Sequence, residues 1–212
     1  MEILSGWVNF MLHIDVHLGE MIANYGFFAY AILFVILFAE TGLVFTPFLP
    51  GDSLLFASGA LAAMGAFNIV ILVGLLWTAA FLGDTVNYWI GHFFGQKLID
   101  HPIIPINQEH IDKTQKFYAK HGGKTIFLAR FLPIIRTFAP FVAGIGKMDY
   151  KKFIYYNASG GLVWVGGFTL VGYFFGNLPG IKENFSVVVL GIIIISIMPI
   201  VIEAVRAKGR KG

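Results

Sequence analysis

Four long apolar runs, at residues 24–45, 67–94, 153–175 and 185–205, set the frame of this 212-residue chain. Each reaches the ~20 residues that a helix needs to cross a ~30 Å hydrocarbon core, so each is expected to span a bilayer. Two further apolar stretches depart from the pattern. Thr46–Gly65, TPFLPGDSLLFASGALAAMG, is interrupted by Pro47, Pro50 and Gly51. Thr125–Gly146, TIFLARFLPIIRTFAPFVAGIG, is interrupted by Pro133 and Pro140 and carries Arg130 and Arg136. Proline removes a backbone donor and clashes with the preceding turn, so neither stretch is expected to be a clean span. Bent backbone survives at membrane depth only where protein shields it or it lines a wet cavity, and both stretches are therefore expected to be re-entrant hairpins. Residues 3–20 are expected to form an interfacial helix. Asn107–His121 is expected to be a polar surface helix held by Ile111, Phe117 and Tyr118, with Lys113, Lys116 and Lys120 facing anionic lipid.

The expected architecture is an all-α polytopic membrane protein with about four spanning helices and two opposed re-entrant hairpins. Residues 1–23 form the interfacial segment, 24–177 the membrane core, and 178–212 a last span and a basic tail. Composition agrees: 57% of residues are apolar and 13% charged, where soluble domains carry about 25% charged. A soluble α/β protein with buried strands would show shorter apolar runs punctuated by polar surface. The absence of cysteine excludes disulfides and thiolate metal sites. The start of the chain has neither a basic region nor a small-residue cleavage site, so no removed signal peptide is expected.

Charge placement orients the model. All 15 Lys and Arg lie at or after Lys97. With the tail bearing Arg206, Lys208, Arg210 and Lys211 placed in the cytoplasm by the positive-inside rule, the loop from Lys97 to Lys124 falls there too. The same trace sends the first span outward and the second inward, with both termini cytoplasmic. It also exposes a repeat. Phe48-Leu49-Pro50 recurs as Phe131-Leu132-Pro133, and Gly91-His92-Phe93-Phe94-Gly95 recurs as Gly172-Tyr173-Phe174-Phe175-Gly176. The two units, about 46–95 and 125–176, would be inverted, an arrangement used by transporters with broken helices. Chance self-similarity in apolar sequence is the competing explanation, and close helix packing is the bland account of the paired glycines.

Glu40 and Asp52 are the only formal charges between Met21 and Gly83. An ionised group at the bilayer centre costs at least ~2.5–3.5 kcal/mol, so such residues are expected to have partners. The two acids would meet Arg130 and Arg136 if the hairpin tips converge. A bend at Pro133 would let both arginines reach one cavity, where planar guanidinium forks suit a phosphate. A desolvated Glu40 or Asp52 would take up a proton near neutrality and serve as a coupling site. Asp84, in the second span with Asn87 nearby, is a third coupling candidate; a plain helix–helix hydrogen bond is the alternative. The alternatives for the others are an ion-pair cluster that only locks the hairpins, an Asp52 that caps a helix starting at Leu54, and a half-solvated, inert Glu40. His13 and His17 have metal-capable spacing but no third ligand. No metal or cofactor is expected.

These residues also carry a resemblance. Glu40, Pro47, Pro50, Gly51 and Asp52 match E-x6-P-x-x-P-G-[DE], and Phe127, Arg130, Phe131, Pro133 and Arg136 match F-x-x-R-F-x-P-x-x-R. Gly144, Met148 and Phe153 match G-x3-M-x4-F, while Gly83, Asp84, Tyr88 and Gly91 match G-D-x3-Y-x-x-G. Across about 24–176 the chain resembles the DedA family, the bacterial branch of the SNARE-associated (VTT) membrane proteins. The resemblance implies opposed re-entrant loops, an inner-membrane location, a link to proton motive force, and movement of undecaprenyl phosphate or phospholipid between leaflets. It further implies that Glu40, Asp52, Arg130 and Arg136 are the functional embedded charges. His92 departs from the pattern, standing where many members carry arginine.

The function expected is therefore a proton-linked flippase, not an enzyme, with membrane lipids, lipid phosphate head groups and protons as partners. A proton-coupled antiporter for ions or small amphiphilic cations would use the acids but not the paired arginines. A lipid-phosphate phosphatase would need a histidine beside the arginines, and only His92 and His121 come near. The net charge of +3 belongs to the cytoplasmic face, and no nucleic-acid partner is expected. A homodimer stays open.

Overall fold

A computed structural model describes residues 14–43, 51–99, 108–178 and 180, and they are helical with short turns. The helices are α1 (Ile14–Gly42), α2 (Gly51–Ala63), α3 (Ile69–Ile99), α4 (Gln108–His121), α5 (Thr125–Ala129), α6 (Pro133–Ile145) and α7 (Tyr150–Gly176), with a 3-10 turn at Gly122–Lys124. Among the described residues, two stretches are long and apolar enough to cross a membrane, Ile69–Gly95 and Tyr150–Gly176. The predicted second and third spans fall on these. The predicted fourth span, Phe185–Val205, and the basic tail lie outside the described residues, as do Pro47, Pro50 and His13. α2 and α6 have 13 residues each, about 20 Å at 1.5 Å per residue, too short to cross alone.

Three expectations change. The interfacial segment and the first span were separated near residue 23, but α1 runs unbroken from Ile14 to Gly42. Its lone glycines, Gly19 and Gly26, are tolerated inside a helix. α2 starts at Gly51, three residues before Leu54, so Asp52 lies inside the first turn and does not cap it from outside. An acid there still favours the positive end of the helix. Pro133 opens α6, where its missing N–H costs nothing, but Pro140 sits inside α6 without ending it. Side chains of neighbouring helices bond carbonyls close to it: Tyr118 Oη donates to Ala139 O at 3.0 Å and Asn87 Nδ2 to Thr137 O at 3.0 Å. Burial pushes the Tyr118 phenol upward, keeping it a donor.

The chain packs as two compact units, one containing 14–32, 51–72 and 168–178, the other 33–43, 73–99 and 108–167. In the first, α2 ends in a turn through Gly65 at φ +86°, a conformation that favours glycine. Asn68 then caps α3, its Oδ1 accepting from Val70 N and Ile71 N, while its own amide donates to Tyr30 Oη at 2.7 Å. α2 lies against the end of α7 on small residues. A Cβ at Gly59 would stand 3.0 Å from Tyr173 N, and one at Gly176 would stand 2.8 Å from the Ala60 Cα.

The second unit repeats that contact with other elements. α6 lies against the end of α3, where a Cβ at Gly144 would stand 2.6 Å from His92 N and one at Gly91 would stand 3.0 Å from the Phe141 Cα. Thus each short helix packs on the paired glycines of a long helix, α2 on Gly172 and Gly176 of α7 and α6 on Gly91 and Gly95 of α3. Gly59 and Gly144 are 85 apart (144 − 59), while their partners Tyr173 and His92 are 81 apart (173 − 92). The short helices are therefore offset by about one turn more than the long ones, and the Phe-Leu-Pro match, at 83, falls between the two registers.

In this unit Phe38 lies against Gly83 while Thr41 O accepts from Asn87 Nδ2 at 3.1 Å, so α1 and α3 advance in the same direction. The sequence trace had them running oppositely. α1 also ends beside Gly83 and Asn87, near the middle of α3 and not at its end. Hydropathy measures the length of an apolar run but not the depth at which it stops, and the direction found removes that trace's ground for a cytoplasmic amino terminus.

Candidate functional site

The break between α5 and α6 places the two arginines. α5 ends after five residues at Arg130, Leu132 is extended at φ −123° and ψ 101°, and α6 starts at Pro133. The residue before a proline is driven out of the helical region, which accounts for the extended Leu132. Arg130 and Arg136 thus sit on either side of a bend, on different helices.

Each arginine holds an acid. Arg130 Nη2 donates to Asp84 Oδ2 at 2.5 Å and to Asn157 Oδ1 at 2.5 Å. Arg136 Nη2 donates to Glu40 Oε1 at 2.7 Å. All four charged residues are buried, with Arg136 the most accessible at 9% and Arg130 the least at 2%. Trp164, fully buried, lies against both guanidinium groups: the Arg136 Cζ is 4.7 Å from the ring centroid and the Arg130 Cζ 5.5 Å. Both distances are within the ~6 Å reach of a cation–π contact. Arg130 Nε and Nη1 are buried and make no hydrogen bond among the described residues. Together they carry three N–H donors.

Two asparagines set these pairs in place. Asn157 Nδ2 donates to Phe81 O at 3.1 Å, one turn before Asp84, while its Oδ1 accepts from Arg130 Nη2. Asn87 Nδ2 donates to Thr41 O and Thr137 O, the residues that follow Glu40 and Arg136. One amide therefore ties the end of α1 to the start of α6. Gly161 lies beside Arg130, where an added Cβ would make ordinary contact at 3.4 Å with both Arg130 Nη2 and Trp77 Cδ1.

Four of the five charged candidates come together, but with an unexpected pairing. Arg130 takes Asp84, the third choice among the acids, and Arg136 takes Glu40. Asp52 is half-buried at the head of α2, in the other compact unit. His92 stacks near Tyr88 at 6.0 Å and crosses Trp89 at 5.3 Å, in an aromatic cluster toward the end of α3. A cavity of about 570 Å³ lined by Tyr118, Val142, Met148 and Lys152 includes none of the predicted site residues. Among the described residues no group of three metal-ligating side chains occurs. Sequence reasoning missed Asn157 and Trp164. An amide inside the apolar run 153–175 was a signal for Asn157; nothing distinguishes Trp164 among so many aromatic residues.

Comparison with known proteins identifies the family. The VTT domain model matches residues 49–174, most of the span that holds the site. The chain is 55% identical to Protein DedA of Escherichia coli K12, over 98% of this chain and 96% of that protein. It is 40% identical to uncharacterized membrane protein Rv0364 of Mycobacterium tuberculosis, over 85% and 82% of the two chains. Inner membrane protein YqjA of Escherichia coli K12 is 36% identical over 71% and 69%. No solved structure matches the chain. With a domain match across more than half its length and such identity to DedA over nearly all of it, the chain belongs to the DedA family of bacterial inner-membrane proteins.

Proposed function

We propose that this protein is a proton-motive-force-linked transporter that moves a lipid phosphate, undecaprenyl phosphate or a phospholipid, between leaflets. The observation that carries the reading is the pair of arginines at a helix break, each held by a buried carboxylate and not by a second charge of its own helix. A carboxylate and a phosphate compete for the same in-plane N–H groups of a guanidinium. Protonation of Glu40 or Asp84 removes the carboxylate's claim, and an arriving phosphate takes its place. Deprotonation toward the other side restores the ion pair and releases the lipid. Asp52 is the remaining embedded acid available for coupling. The positive end of α6, opening at Pro133 within a turn of Arg136, favours the same anion. An antiporter for small cations would use the acids alone and leave the guanidinium forks without a role.

In this reading α2 and α6 are returning limbs of two re-entrant hairpins in an inverted repeat, and the lysine-rich loop and basic tail face the cytoplasm. Reconstitution into liposomes with leaflet-specific detection of undecaprenyl phosphate and phosphatidylethanolamine tests the activity. Gradient-stimulated movement of at least one lipid is expected; lipid-independent proton flux with a cation would favour the antiporter. A single cysteine at Gln115 should resist an impermeant reagent in intact cells and react after lysis. Labelling in intact cells would overturn the orientation.

A further inference from the structure

Trp164 has a place in the site that no motif assigns. Its ring is fully buried and is shared by two like-charged groups, Arg136 at 4.7 Å and Arg130 at 5.5 Å. Two guanidinium groups beside one ring repel each other; Asp84 and Glu40 offset that repulsion, and the indole adds an attraction of its own to each. The kind of contact matters. A guanidinium binds carboxylate or phosphate through N–H groups in its plane, and binds an aromatic ring through its flat face. The indole therefore does not compete with Asp84, Glu40 or an incoming phosphate for donors. It is also neutral, so it stays in place whichever anion is present.

Resting on the phosphate reading above, we infer that Trp164 is a positioning residue of the transport site. It holds the faces of Arg130 and Arg136 while their edges exchange carboxylate for the phosphate of a monoester. Arg130 has edges to offer, since its Nε and Nη1 make no hydrogen bond among the described residues. Without the ring, an arginine released from its acid loses a contact that orients its plane, and the two forks lose the surface they share. A lysine, which has no flat face, would lose this contact at either position.

The test uses the full-length protein with fluorinated tryptophan inserted at position 164 alone, carrying one, two or three ring fluorines. Fluorination drains the ring face of charge with little change in shape, so folding is preserved where a Trp164→Leu variant risks collapse. Binding is measured for inorganic phosphate and, separately, for a short prenyl monophosphate. The dissociation constant should rise stepwise with fluorine count in both arms, by roughly tenfold across the series. Trp164→Phe should fall within that range. A flat series in a protein that still binds phosphate would reduce Trp164 to packing and overturn the inference alone. A slope confined to the prenyl ester would also overturn it, because the ring would then be touching the lipid tail. Absence of phosphate binding by the unmodified protein would remove the phosphate reading and this inference with it.

Discussion

The two ion pairs look alike on paper and are built differently. Arg130–Asp84 joins the end of α5 to the middle of α3, and an asparagine side chain shares the arginine. Arg136–Glu40 joins α6 to the last turn of α1, and an asparagine ties the adjacent backbone instead of the charges. The side chains differ in access as well, at 1% and 5% for the first pair against 10% and 3% for the second. The sealed pair is the more enclosed, and its donors exceed its acceptors. The more open pair lies between two helix ends, where a small movement changes its length. An embedded charge can thus serve as a fixed point or as a moving contact, and the difference lies in what holds its neighbours.

The largest effect expected is on the sealed pair. Arg130→Met leaves Asp84 buried without its counter-charge and should cost about 3–5 kcal/mol of stability in a denaturant titration. The double variant Arg130→Met with Asp84→Leu should recover most of that loss and still fail to transport. Recovery of transport in the double variant would end any functional role for this pair. Next come the conservative changes: Arg130→Lys and Arg136→Lys should each insert normally and lose most lipid movement, because a point charge does not make the planar fork. Near-normal flux in both would remove the phosphate-fork reading.

A smaller stability effect is expected in the open pair. Glu40→Gln keeps a hydrogen-bond acceptor for Arg136 and should change stability by only about 1–2 kcal/mol, while transport loses its dependence on the proton gradient. Initial rates with and without an imposed gradient decide it, and Asp52→Asn run alongside shows which acid couples. Full gradient dependence in both amide variants would leave Asp84 as the coupling acid and erase the functional half of the comparison. The asparagines should separate the pairs further. Asn157→Leu and Asn87→Leu should each cost about 1–3 kcal/mol. The first should weaken phosphate binding at Arg130, whereas the second should lower the transport rate more than the affinity. Smallest of all, Gly166→Ala should be neutral to mildly stabilising, since a Cβ there meets nothing within 4 Å; Gly144→Ala, whose Cβ would run into backbone, should not be tolerated.

Much of this was legible because charge in apolar sequence is so conspicuous. Glu40, Asp84, Arg130 and Arg136 announce themselves by their surroundings, and Pro133 announces the bend between the arginines. Pairing was less legible. Asp84 lies in an unbroken span and Glu40 near a broken one, so broken-segment logic favoured Glu40 and Asp52 as partners, although reach in space assigned Asp84 to Arg130. The end of α1 beside the middle of α3 could not be read from hydropathy, because an apolar run says nothing of where its neighbours begin. Pro140 was overread: a proline counts as a breaker only when no side chain from another helix takes up the carbonyls around it. Trp164 was invisible for a simpler reason, since its contacts are with residues 28 or more positions away.

The glycine contacts also set a schedule for synthesis. α6 finds its seat on α3 as soon as it leaves the ribosome, because α3 has already been made. α2 emerges early, yet the helix end that receives it, around Gly172 and Gly176, is translated more than a hundred residues later. At ~5–20 residues per second the notch on α2 stays uncovered for on the order of ten seconds. A chain truncated before residue 168 would leave α2 without its dock.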